Sequence, residues 1–144
     1  MTGETEQAKL DLELAAEALA MRRRAYAPYS HFWVGAAVRA ASGRIYGGAN
    51  VENASSGATT CAERNAIAAA VNAGERRLVA IAIAGGKDGA AESFCPPCGI
   101  CRQVMREFAA SAEFRVVFAK ASGELKVRTL AELLPESFGP DALA

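Results

Sequence analysis

A chain of 144 residues, 51% hydrophobic and 22% charged, has the size and make-up of one globular domain built around a single core, residues 1–144. Its 16 Lys and Arg balance 16 Asp and Glu to a formal net charge of zero, which argues against a nucleic-acid binder, because such proteins carry a basic excess. No apolar run reaches the ~18 residues of a membrane span. The charged N-terminal segment also lacks the apolar stretch of a signal peptide, so neither membrane association nor export is expected. In the cytoplasmic setting this implies, the four cysteines are metal ligands or free thiols rather than disulfides.

The first element expected is a helix from Thr5 to Arg24, with Leu10, Leu14, Ala18 and Met21 on one stripe. Its terminal Arg22-Arg23-Arg24 reads as a solvated helix end, whose cations suit the negative pole of the dipole. Pro28 stops the pattern. Phe32–Ala40 and Arg44–Val51 read as paired strands around a Ser42-Gly43 turn. After a polar loop over 53–60, a helix is expected from Cys61 to Ala73, with Ala62, Ala66, Ala69, Ala70 and Ala73 inward and Gly74 as terminator. Leu78–Ala84 is a continuous apolar run, as in a strand buried on both faces. A third helix starts near Pro97 or Cys98, with Ile100, Val104 and Phe108 on one side of it. Phe114–Ala119 and Leu125–Thr129 form a last strand pair around a Ser122-Gly123 turn, and Ala131–Leu134 adds a helical turn. A hairpin followed by β-α-β alternation predicts an α/β fold: a three-layer α/β/α sandwich around a mixed five-stranded sheet.

The cysteines carry the chemistry. Cys98 and Cys101 lie three apart on the first turn of a helix, so both sulfurs reach one point. Cys61 opens another helix, and helix N-termini favour thiolates. Three protein ligands with one open position mark a catalytic zinc, whereas four close the site. Cys95 is formally a fourth candidate, but Pro96 and Pro97 prevent the compact turn that would aim it at the same ion, and it reads as a free thiol. Glu63 has two readings. With Thr60 it matches a capping box, S/T-x-x-E; beside the zinc ligands it is the carboxyl group that moves protons. His31, the one histidine, has no ligand spacing to any cysteine, and Gly85-Gly86 lacks a phosphate-loop frame.

Cys61-Ala62-Glu63 together with Pro97-Cys98-Gly99-Ile100-Cys101 resembles the zinc deaminase signature, in the form with cysteine for its first histidine. The likeness extends through Ala25–Phe32, Asn50–Ala54, Cys61–Ile67, Leu133-Leu134-Pro135 and Phe138-Gly139-Pro140, and it points to the small homotetrameric class of the cytidine/deoxycytidylate deaminase family. This resemblance implies one Zn2+ per chain on Cys61, Cys98 and Cys101, proton transfer by Glu63, and Arg64 bonded to the ligand thiolates. It implies a nucleoside site with Asn50 and Glu52 at the sugar, Val51 between them also binding substrate, Phe32 and the backbone of Ala62 at the base, and Phe138 reaching a neighbouring subunit's pocket. The activity implied is hydrolytic deamination of cytidine and 2′-deoxycytidine, a pyrimidine-salvage step.

Each role has a plainer counterpart: turn chemistry for Asn50 and Glu52, ordinary packing for Phe32, and a tail anchor for Phe138. The chain departs from the family pattern at Ser56, where a tyrosine is common, at Ala58 and Ala49, and at Trp33 beside Phe32. These departures fall toward the sugar end and leave open the same chemistry on another amino-heterocycle. A closed four-cysteine structural zinc and a Cys98/Cys101 redox dithiol are the alternatives from other classes.

Overall fold

The computed structural model describes residues 2–144. Its elements are α1 (Thr2–Met21), β1 (Phe32–Ala40), β2 (Ile45–Ala49), α2 (Ala62–Asn72), β3 (Leu78–Lys87), α3 (Gly99–Phe108), β4 (Arg115–Ala119), β5 (Leu125–Thr129) and α4 (Leu130–Leu133). Single 3₁₀ turns follow at Arg22–Arg24, Ser56–Ala58 and Pro140–Leu143. The five strands form one mixed sheet in the order β2-β1-β3-β4-β5. Only β3 and β4 pair in parallel, joined by the α3 crossover.

Strand alternation sorts the side chains into two cores. Val34, Ala36, Val38 and Ala40 of β1, with Ile81 and Ile83 of β3 and Val116 and Phe118 of β4, face α2 and α3. Ala37, Ala80, Ala82 and Val117 face the other way, against Leu14 and Ala18 of α1. The expected three layers are therefore present, with α1 alone on one face. Two acidic side chains of α1 also make polar ties to the sheet. Asp11, buried, pairs with Arg115 at 2.6 Å, and Arg39 reaches Glu13 at 2.6 Å.

Small residues let the helices sit directly on the sheet. A Cβ on Gly35 would collide with the backbone of Ala18 and Arg22 in and just after α1. A Cβ on Gly48 would meet the amide of Ala66 and the carbonyl of Ala62 in α2. The site is positioned by this contact, because α2 cannot move away from β2 without opening a gap.

Several boundaries differ from expectation for identifiable reasons. β3 runs on to Lys87, since Gly85 and Gly86 still pair with Val34 and Trp33. Cys61 and Cys98 are the N-cap residues of α2 and α3 rather than helical positions. On α3 the inward face is Cys101 and Met105, while Ile100 is 63% exposed; Val104 and Phe108 pack beside that face. On α2 the buried set is Ala62, Glu63, Ala66, Ile67 and Ala70, with Ala73 exposed. In both helices the buried face includes a first-turn site residue, Glu63 in α2 and Cys101 in α3, and so is offset from the apolar stripe read from periodicity. Arg23 and Arg24 are solvated, but the Nη1 of Arg22 is buried.

Gly48→Ala and Gly35→Ala are each expected to cost about 1–3 kcal/mol through overpacking, measured by urea denaturation. Only Gly48→Ala should also weaken zinc retention, since it displaces the helix that carries Cys61 and Glu63.

Candidate active site

β2 and β3 are both antiparallel to β1, so they point the same way. The chain leaves each at the same end of the sheet and enters a helix on the same face. The N-termini of α2 and α3 consequently converge outside the carboxyl ends of the strands, where α/β folds place their ligands. β1 begins at this end, because Phe32 pairs with Lys87.

The three thiols meet there. Cys61 Sγ lies 3.9 Å from Cys98 Sγ, and Cys98 Sγ lies 3.5 Å from Cys101 Sγ. All three sulfurs fall within 4.8 Å of one another. A tetrahedral ion with Zn–S bonds of ~2.3 Å needs sulfur separations of about 3.8 Å, so the donor set fits zinc in both spacing and chemistry. Among the described residues this cluster contains three cysteines and no fourth ligand.

Electrostatics separate the cysteines by role. Cys61 is lowered to about 5, because its sulfur accepts from the Cys101 thiol and from Arg64 and Cys98, against the opposing effect of burial. The Arg64 Nη2 donates to Cys61 Sγ at 3.6 Å. Cys101, fully buried, is shifted upward as the donor in that pair and by burial. Zinc binding must therefore expel a proton from Cys101, which ties metal affinity to pH. Cys95 is pushed up to about 12 by burial, then by the charges of Glu63 and Cys61. It stays a neutral thiol, outside the cluster.

Glu63 is 5% exposed on the first turn of α2. The helix dipole favours an anion there, yet burial outweighs it. The carboxyl is raised to about 7, chiefly by desolvation and further by the Cys61 thiolate, with Arg64 opposing. The capping-box reading fails on phase. The N-cap is Cys61, not Thr60, and it has no side-chain cap bond. The box that does form is Thr129 with Glu132, ahead of α4.

Phe32, Asn50, Glu52, Cys61, Ala62, Glu63 and Cys98 line one pocket of about 250 Å³. Asn50 Oδ1 accepts from the Val34 amide at 2.9 Å, and its Nδ2 donates to the Phe32 carbonyl at 2.8 Å. Glu52 accepts from the amides of Tyr29 and Ser30 and from the Ser30 hydroxyl. The Ser30 hydroxyl bond does most to hold its carboxyl below the usual range. Both residues thus hold β1 and its entry loop in place, and each keeps spare hydrogen-bonding capacity toward the pocket.

Three expected site residues lie outside this lining, and of these only Val51 was expected within it. Val51 is 48% exposed and outside the lining; its backbone amide and carbonyl both pair with Thr60. Phe138 is 61% exposed outside its own chain's pocket, its carbonyl accepting from Gln103 at 2.9 Å. Arg64 stands behind Cys61 rather than in the lining. Trp33 is not a pocket neighbour of Phe32. Alternation turns it to the α1 face, where its ring lies against the Cα of Gly89. Ser56 and Ala58 sit in an exposed turn, also outside the lining. Ser30, Val34, Thr59, Cys95 and Pro96 line the pocket without having been singled out for it. Of these, Cys95 carried a cue as a thiol three residues before Cys98, and Ser30 as a polar member of the loop before β1.

The model of the cytidine and deoxycytidylate deaminase zinc-binding region matches residues 8–119. The chain belongs to this family. A cytidine deaminase of Halalkalibacterium halodurans is 44% identical over 126 residues, 87% of this chain and 91% of that one. Another from Sporosarcina psychrophila is 40% identical over 136 residues, 94% and 96% of the two chains. The crystal structure of a cytidine deaminase from Burkholderia pseudomallei superposes with a TM-score of 0.79 at 42% identity, covering 88% of this chain and 97% of that one. One from Mycobacterium tuberculosis gives 0.73 at 39%, covering 88% and 95%. The family is zinc-binding, and Cys61, Cys98 and Cys101 are placed to hold the ion.

Cys98→Ser is expected to abolish stoichiometric zinc, whereas Cys95→Ser should retain about one zinc per chain. Elemental analysis of the purified proteins distinguishes the open three-cysteine site from a closed four-cysteine one.

Proposed function

We propose that this chain hydrolyses cytidine and 2′-deoxycytidine to uridine and 2′-deoxyuridine, releasing ammonia, as a pyrimidine-salvage enzyme. The observation that carries the reading is a buried carboxyl, Glu63, in one pocket with Cys61 and Cys98 of the three-thiol cluster. Similarity to named cytidine deaminases over most of the chain supports the substrate. When bound, zinc supplies a Lewis acid that makes water nucleophilic near neutral pH.

The chain's own groups do the rest. Glu63 takes up the proton released as water attacks C4 of the pyrimidine and delivers it to N3. It then assists protonation of the exocyclic amine as the C4–N bond breaks. A carboxyl with a proton affinity near neutrality can accept and donate in one cycle. Phe32 flanks the base, and the Ala62 backbone meets its edge. Asn50 and Glu52 use their remaining donor and acceptor capacity on the sugar hydroxyls. Arg64 offsets the thiolate charge.

Residues 1–144 are read as a single domain, and the working form as a cytoplasmic homotetramer. Tyr26, Tyr29, Phe32 and Val51 are exposed large apolar groups on segments bordering the pocket, more than a monomer surface favours. In the tetramer Phe138 reaches a neighbour's pocket, which accords with its exposure on its own chain. A net charge of zero suits a small neutral substrate rather than a nucleic acid. Among the described residues no helix is long and apolar enough to cross a membrane.

Glu63→Gln is expected to retain zinc while losing activity by roughly 10²–10⁴-fold, the range for a positioned proton-transfer group. Ammonia release across cytidine, 2′-deoxycytidine, cytosine and nucleoside analogues should favour the two nucleosides; exclusive turnover of another amino-heterocycle would refute the substrate assignment. Sedimentation velocity should report four chains per particle.

A further inference from the structure

α3 carries two arginines one turn apart, and both reach the C-terminal segment. Arg106 donates to Ser137 Oγ at 2.9 Å and to Asp141 Oδ1 at 2.6 Å, its guanidinium packed on Gly139. Arg102 differs, because it also grips the metal loop. Its Nε donates to the Pro97 carbonyl at 2.9 Å and its Nη1 to the Leu133 carbonyl at 2.8 Å. Its own backbone amide donates to the Cys98 carbonyl at 3.0 Å. One residue thereby holds the carbonyls on both sides of the Cα of Cys98.

Cys98 needs such support. It is exposed, it caps α3 without a side-chain cap bond, and it follows two prolines that have no amide hydrogen to anchor the loop. The Leu133 carbonyl is in the last turn of α4, where carbonyls lack intrahelical partners. A guanidinium offers two N–H directions from one rigid plane and can satisfy both carbonyls at once; a lysine ammonium is a single hydrated point on a flexible stem.

We propose that Arg102 is a positioning residue of the metal site, pinning Pro97 to the end of α4 and so holding Cys98 where it shares a cation with Cys61 and Cys101. The inference rests on the reading of Cys98 and Cys101 as zinc ligands. It makes the C-terminal segment through Leu133 part of the frame of the metal centre, although no residue of that segment is a ligand.

The test is the rate at which the zinc-loaded protein gives up its metal to a colorimetric chelator, with no substrate present. Removing a group that orients metal ligands weakens metal binding about 10–100-fold. Arg102→Ala should therefore release zinc about 10-fold faster than wild type or more, and Arg102→Lys should fall between the two. Arg106→Ala, which loses the tail contacts but none to Pro97, should release at the wild-type rate. Wild-type release from Arg102→Ala, or equal acceleration in Arg106→Ala, overturns the proposal. Should Arg102→Ala not fold, Arg102→Lys carries the test, and wild-type release from it overturns the proposal. A wild-type chain that takes up no zinc overturns the ligand reading and this inference with it; normal zinc content with unchanged release overturns this inference alone.

Discussion

Three sulfurs can share one cation only where two helix N-termini are held a few ångströms apart, and the sheet order imposes that separation. Because β1 is inserted between β2 and β3 and runs against both, the two outgoing connections emerge side by side. The helices then have to lie close to the sheet, which glycine and alanine permit at the α2 contact. The site is thus a consequence of strand order plus close packing, and the loops only finish it.

The same corner sets three acidic groups against one another in a confined volume. Cys61 is held as an anion by donors around it, Cys101 is held as a donor, and Glu63 is held near neutrality by burial. The helix dipoles favour negative charge at every one of these positions. Burial nevertheless decides the outcome at Glu63, because its carboxyl is almost wholly withdrawn from water while Cys61 is only partly buried and has Arg64 at hand.

What could be read in the sequence was chiefly what depends on short spacing. The i, i+3 cysteines, the hairpin turns at Gly43 and Gly123 and the stop at Gly74 are local signals, and each glycine has the positive φ its turn requires. The ambiguity at Glu63 was a matter of phase by one residue, and only the observed N-cap resolved it. The dual reading of Asn50 and Glu52 reflects the molecule, since both spend polar atoms on neighbouring backbone while facing the pocket. The face taken by Trp33 was legible from strand alternation, because consecutive residues of β1 point to opposite sides. The role of Arg102 had no local trace, as its second partner is 31 residues away and is a carbonyl, which any residue type supplies.

Trp33 is the chain's only tryptophan. Its ring lies across the sheet from the pocket and against Gly89, in the stretch of chain that leads to Cys95 and Cys98. The indole is therefore an optical label with one address. Its emission reads the packing of the segment that delivers the metal loop, on the side of the sheet where no nucleoside can quench it by stacking.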